Sequence, residues 1–379
     1  MVGEEPDPPY ERPPLSKEYL RGETEFEQSL VQPLDWYEDN EVELLLGVRA
    51  DAVDPTARAV ELEDRRRIRY DKVLIATGGR NRTLSVPGSE LGGIFGLRTR
   101  ADADRIRDAA QGAVKVVVVG MGFIGAEVAA SLRQKGLSVS VVEVFSVPLE
   151  RVLGRMLGRV VLDLHAEHGV EVILEDTVVA FEGAGVVERV VTRKGRFLDA
   201  DLVVVGVGIQ PNTDVVEGSG VEIDNGIVVD EFCATNVEGI YACGDVANHF
   251  HPLTGTRMRV EHWQNAIRQG AAAARTMMGS DQSYEEVHWF WSDQYDTNIQ
   301  YAGFHEVGSD LVLRGSPADR DFVGFFVNEG RLRAAVGFNR RREIRSAMRL
   351  IQAGIEVNSE ALVDEGVDLR EMLGSGGES

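Results

Sequence analysis

Four consecutive valines at positions 116–119 run into Gly120, Gly122 and Gly125, and this junction constrains the chain more than any other stretch. A β-branched run without polar alternation fits a strand buried on both faces of a parallel sheet. The glycines keep the G-x-G-x-x-G spacing, and the residues after them read as a helix. Gly120 permits the tight turn, Gly122 lets a pyrophosphate reach the backbone, and Gly125 lets the helix lie against the strand. The helix N-terminus offers free N–H groups and partial positive charge to the phosphates. A second apolar run, 139–142, ends on Glu143, about twenty residues on, where a carboxylate can accept from an adenosine ribose diol. No arginine stands at 144–150 to receive a 2′-phosphate, so the pattern predicts NADH rather than NADPH. The bland alternative is a packed strand–turn–helix with incidental glycines.

With 379 residues, the chain has room for about two or three domains. The opening MVGEEPDPPYERPP is acidic and proline-rich, and no apolar run approaches a membrane span, so neither a signal peptide nor a membrane partner is expected. A formal net charge of −22 argues against nucleic acid or an anionic surface as partner. Cys233 and Cys243 lack CxxC spacing, so no disulfide framework or dithiol pair is expected, and the expected compartment is the cytoplasm. His165 and His168 are three apart on a helical stretch with no third ligand in view, so no metal is expected.

Along the chain, PPYERPPLSK holds four prolines in ten positions and predicts a rigid extended loop ending at Ser16-Lys17, before a helical EYLRG. A strand is expected over 41–46 and a hairpin over 58–70 around Asp64. The strand 72–76 ends in Thr77-Gly78-Gly79, and 201–208 repeats that sentence: an Asp, an apolar strand, then glycines. This weak repeat suggests two nucleotide-binding domains built alike, one nested in the other. Asp245, after YACG, stands at the carboxyl end of a short strand, where a polyhydroxyl ligand could bind or a following helix be capped. A long alanine-rich helix is expected over 261–278 and an antiparallel α+β domain from 284, closed by a helix over 342–352.

In this order and spacing, PYERPPLSK, ATGG, GMGFIGAEVA, GVGIQPN, YACGDVA, EHWQNA and WFWSDQY resemble the FAD-dependent pyridine nucleotide oxidoreductases of the ferredoxin reductase type. That group also includes rubredoxin reductases and the apoptosis-inducing-factor group. The resemblance implies an α/β fold of two nested Rossmann-like nucleotide-binding domains plus a C-terminal α+β domain. The FAD domain would span 1–108 and 231–283, the NAD domain 109–230, and the C-terminal domain 284–372, with a disordered tail at 373–379. It implies FAD and NADH as cofactors. Arg12 and Lys17 would lie beside the flavin, Thr77 and Gly78 would contact it, and Asp245 would bind its ribityl or phosphate portion. Glu261, Trp263 and Trp291 would border the ring, while Gly120, Gly122, Gly125, Glu127, Glu143 and Gly208 would surround NADH. Lys17, Glu127 and Trp291 are the catalytic candidates, with a Lys17–Glu127 pair that rearranges as NADH enters.

The family opens with its own G-x-G-x-x-G unit for the FAD pyrophosphate, and about thirty-five residues carrying that cradle are missing before Met1, so the expectation is a late start or fragment, with a degraded relative of weak or no FAD binding as the alternative. The FAD domain is therefore expected to be N-terminally truncated here. The implied activity is electron transfer from NADH through FAD to a ferredoxin-like or rubredoxin-like carrier that feeds an oxygenase, by a monomer or homodimer. An NADH-binding pseudo-enzyme without flavin is one rival, and a redox-controlled partner of apoptosis-inducing-factor type another. Arginines 340–342, with Arg345 and Arg349, are the candidate carrier-docking patch.

Overall fold

A computed structural model describes residues 1–306 and 308–373, and the expected tail lies outside them from residue 374 on. The chain forms two compact units: Met1–Glu11, Phe26–Arg80 and Ile209–His288 make the first, and Arg12–Glu25, Asn81–Gly208 and Trp289–Ser379 the second.

The second unit is built on a five-stranded sheet ordered Glu171–Ile173, Ser138–Val142, Lys115–Val119, Leu202–Val205 and Ile94–Phe95, every pairing parallel. The valine run is its central strand, with Val116 to Val118 at most 1% exposed. Burial on both faces is what an unbroken apolar strand requires. The helix Phe123–Gln134 leaves this strand directly, through the glycine turn. An antiparallel meander of Val178–Glu182, Arg189–Thr192 and Phe197–Asp199 is inserted before the strand Leu202–Val205.

The C-terminal part of this unit is a five-stranded antiparallel sheet. One face packs on the helix Glu150–Glu167 through Leu153, Leu157 and Val161 against Phe290, Phe322 and Phe338. The other face is covered by Arg341–Ala353, whose Ile344, Ala347 and Leu350 point inward at helical spacing.

In the first unit, Val73–Ile75 pairs in parallel with Ile240–Ala242, and Val2–Gly3 with Leu45–Leu46. Only these last two residues of the expected strand 41–46 are extended. The hairpin around Asp64 forms from Ala59–Leu62 and Arg67–Arg69. Ala247–His251 lies between Ile227–Val229 and Thr256–Arg259. The alanine-rich helix runs Trp263–Met277, so Glu261 precedes it. The proline-rich segment departs from expectation. Pro13–Ser16 is a 3₁₀ turn, because proline's fixed φ suits a first helical turn, where its missing N–H costs nothing.

Candidate functional site

The turn between the valine strand and its helix in the second unit is set by glycine geometry. Gly120 has φ +90°, and a Cβ there would meet the Gly206 carbonyl oxygen at 2.5 Å. A Cβ on Gly125 would meet the Gly120 carbonyl oxygen at 2.1 Å, so these two glycines are demanded by strand–helix packing. Gly122 differs: it has nothing within 4 Å of a Cβ and an ordinary φ of −72°. Folding does not require a glycine there, and the open space is what a dinucleotide pyrophosphate would need. Glu143 is buried and accepts hydrogen bonds from Met121 N at 2.5 Å and Phe145 N at 2.9 Å, which fixes the carboxylate at the strand's end. Gly208, with φ +100°, accepts from Arg82 N at 2.9 Å.

One turn into the dinucleotide helix, Glu127 is buried and meets Lys17 Nζ at 3.0 Å, with side-chain exposures of 3% and 7%. A buried carboxylate is tolerable only when paired and hydrogen-bonded. Here Ser16 Oγ also donates to Glu127 Oε2, and Ser292 Oγ donates to Oε1 at 2.7 Å. The 3₁₀ turn over 13–16 delivers Ser16 and Lys17 side by side. From Ser292 the polar chain continues: Gln294 Nε2 donates to Ser292 Oγ at 3.1 Å, and Gln294 Oε1 accepts from His165 Nε2 at 2.9 Å. Burial holds His165 down to about 4, so the ring is neutral at physiological pH. Trp291, two strand positions from Trp289, stacks on it at 5.4 Å. Arg12 Nη1 donates to the Arg98 carbonyl at 2.7 Å.

Sequence reasoning missed Ser16 as a ligand of Glu127, along with Ser292, Gln294 and His165. Ser292 and Gln294 stand inside WFWSDQY, and their alternation along a strand is the signal that could have paired them on one face.

The first unit carries the other expected positions. Thr77 Oγ1 donates to the Asn212 carbonyl at 2.6 Å and Asn212 N donates to the Gly78 carbonyl at 3.0 Å, so ATGG and GIQPN are tied together. Asp245 lies in a 3₁₀ turn, Gly244–Val246, which leads into a strand, so no helix follows for it to cap. Gly244 N donates to Gln269 Oε1 at 2.8 Å, and a Cβ on Gly244 would lie 3.3 Å from Ala266, which places this turn against the helix Trp263–Met277. That helix has no side-chain cap at its N-terminus. Arg259 Nη1 pairs with Glu261 at 2.6 Å and donates to the Asp245 carbonyl at 3.2 Å. Arg259 Nε and Gln264 Oε1 are buried without a hydrogen-bond partner among the described residues. An uncapped helix start, an acid and orphaned buried polar atoms fit the polar portion of a flavin nucleotide.

The cysteines take no part. Both are free and buried, and burial pushes each thiol up to about 12, which keeps them protonated. Among the described residues, no helix is long and apolar enough to cross a membrane.

Residues 1–270 match the family described as pyridine nucleotide-disulphide oxidoreductase, and residues 289–373 match the reductase C-terminal family. The anthranilate 1,2-dioxygenase system ferredoxin–NAD(+) reductase component of Burkholderia cepacia is 39% identical over 98% of this chain and 92% of its own length. Rhodocoxin reductase of Rhodococcus erythropolis is 37% identical over 98% of this chain and 87% of its own. The crystal structure of a covalent putidaredoxin reductase–putidaredoxin complex superposes with a TM-score of 0.95 at 33% identity, covering 100% of this chain and 92% of that one. With the glycine turn, the acid at the end of the following strand and the C-terminal domain all in place, the chain belongs to the pyridine nucleotide-disulphide oxidoreductase family, as a flavoprotein oxidoreductase of the ferredoxin-reductase type.

Proposed function

We propose that this protein takes electrons from NADH through FAD to a ferredoxin-like or rubredoxin-like carrier that serves an oxygenase, in the cytoplasm. The observation that carries this reading is the buried Lys17–Glu127 pair at 3.0 Å, one turn into a helix whose Gly122 leaves open space for a dinucleotide. FAD, when bound, supplies the junction between a two-electron donor and a one-electron acceptor. Thr77, Gly78, Asp245, Glu261 and Trp263 are assigned to that cofactor, as are Arg12, Lys17 and Trp291. Gly120, Gly122, Gly125, Glu127, Glu143 and Gly208 are assigned to NADH, whose adenosine ribose Glu143 would accept from. The absence of an arginine at 144–150 favours NADH over NADPH. Lys17 and Glu127 neutralise one another, so that a nicotinamide carboxamide could engage either side chain without leaving an unpaired buried charge.

Relatives named for ferredoxin and rhodocoxin reduction support the carrier class. Of the candidate docking patch, Arg340 is occupied by Asp321, Glu343 at 3.1 Å and Glu365 at 3.0 Å, while Arg342, Arg345 and Arg349 are exposed on the outer face of their helix. A local basic stripe on a chain of net charge −22 is where an acidic carrier would be steered.

The test is anaerobic mixing of the purified protein with NADH, followed in the visible flavin band. Bleaching in wild type, slowed in Lys17→Met, is expected. A colourless protein would favour the NADH-binding pseudo-enzyme, and an unchanged rate in Lys17→Met would remove the pair from the mechanism. Arg342→Glu with Arg345→Glu should raise KM for the carrier about tenfold while leaving dye reduction alone. A bleached flavin that no small carrier reoxidises would favour the redox-controlled partner of apoptosis-inducing-factor type.

A further inference from the structure

Three histidines that sequence spacing did not connect meet inside the first unit. His249 and His251 are two apart on the strand Ala247–His251, so the pleat sends both rings to one face. His288 joins them, with its ring 5.4 Å from His249 and 4.5 Å from His251 between centroids. All three are buried, at 1%, 2% and 7% exposure. One ligand atom from each can be chosen so that all lie within 4.8 Å of one another.

Their hydrogen bonding shows what the cluster is prepared for. His251 Nε2 lies 3.0 Å from the Glu286 carbonyl oxygen. A carbonyl only accepts, so Nε2 carries the proton and the Nδ1 lone pair is left pointing elsewhere. That Nδ1 is buried with no partner among the described residues, as are His288 Nε2 and both ring nitrogens of His249, one of which faces the Met258 backbone without closing a hydrogen bond. Buried polar atoms are ordinarily satisfied, and a group of orphans converging on one point is the exception that calls for a missing ligand. An imidazole whose other nitrogen donates to a backbone carbonyl is the arrangement found behind metal-bound histidines. Were ring packing against Tyr284 the whole purpose, phenylalanine would fill the space and leave nothing unsatisfied.

We propose that His249, His251 and His288 form a binding site for a divalent first-row transition-metal ion, zinc being the best match, coordinated by His251 Nδ1, His288 Nε2 and one ring nitrogen of His249. Imidazole donors suit zinc, and bonds of about 2.0–2.1 Å draw the three rings inward by small rotations. Three neutral nitrogens leave a fourth tetrahedral position for water. The ion would cross-link the strand Ala247–His251 to the segment 284–288, whose Tyr284 is anchored by its N–H to the Glu231 carbonyl at 2.7 Å and by its hydroxyl to Asn265 at 3.0 Å. This role is structural and stands apart from the electron-transfer reading.

The experiment uses tag-free holoprotein purified without chelator. Elemental analysis should find one zinc per chain, and Zn²⁺ added back after chelator stripping should raise Tm. His251→Phe and His288→Phe keep a ring and remove a ligand atom, and each should weaken zinc binding about 100-fold or more. X-ray absorption at the zinc edge of the wild-type protein, which depends on no variant folding, should report three imidazole nitrogens. The proposal is overturned if wild type retains no metal and shows no Tm shift with Zn²⁺, Co²⁺ or Ni²⁺. It is equally overturned by zinc that binds both variants unchanged, or by a shell dominated by oxygen.

Discussion

Around Glu127, both carboxylate oxygens meet donors: Lys17 and Ser16 on one, Ser292 on the other. Around His249, four ring nitrogens from three histidines are buried and meet no partner among the described residues. Both are polar islands in buried surroundings, and the comparison separates two uses of burial. The first cluster is complete within the chain and holds its charges in place. The second is incomplete, and only a ligand from outside the chain can finish it. Burying polar groups is costly in either case, so the partner a group has, or lacks, is informative.

The sharpest way to break the comparison is to make the complete cluster incomplete. Glu127→Gln strands the Lys17 charge in a buried site and should cost about 3–5 kcal/mol in urea unfolding. Combining Lys17→Met with Glu127→Met should restore much of that loss, because no unpaired charge remains. A single variant costing less than about 1 kcal/mol would mean that the pair is solvated and the two clusters do not differ as described.

Ser292→Ala comes next. It leaves Glu127 Oε1 and Gln294 Nε2 each short of a partner and should lower stability by about 1–3 kcal/mol, read from chemical denaturation. A neutral result would mean water replaces the hydroxyl.

The far end of the same polar chain is tested by pH. His165 is held down to about 4 in the folded protein, against an ordinary 6.5, by burial. Below 6.5 the unfolded chain therefore takes up a proton that the folded chain refuses. This contribution is fully present above pH 6.5 and is lost as pH falls toward 4, by about 1–3 kcal/mol. His165→Gln should flatten that part of the stability profile, and an unchanged slope would place the titration elsewhere.

The smallest effect is expected at the incomplete cluster. With metal chelated, His249→Phe removes two orphaned nitrogens and keeps a ring, so stability should change by no more than about 1 kcal/mol, in either direction. A loss above about 2 kcal/mol would show that these nitrogens are satisfied, and the contrast with Glu127 would collapse.

Local chemistry made much of this legible from sequence. A valine run can satisfy burial on both faces only as an inner strand, and Gly120 and Gly125 stand where a Cβ would strike backbone. The 3.6-residue period brought Ile344, Ala347 and Leu350 to one face of the last long helix. Lys17 and Glu127 could be named because each sits in its own recognisable stretch. The serines that complete Glu127 could not, since alternation pairs Ser292 with Gln294 but says nothing of Glu127, and the two serines approach from segments 111 and 165 residues away. The proline-rich segment was readable as rigid, but its 3₁₀ turn was not, because proline's fixed φ suits an extended loop and a first helical turn alike.

What the sequence determined by itself, then, is whatever depends on neighbours along the chain: the strand–glycine–helix unit, the acid at the end of the next strand, and the alternation that puts His249 and His251 on one face. Tertiary structure alone decided which distant side chains share a buried space. That sharing supplied Glu127 with its hydroxyls and gave His249 and His251 a third histidine from residue 288. Hydrogen bonding and coordination act over a few ångströms in space and are indifferent to separation along the chain, so no pattern in the sequence records them.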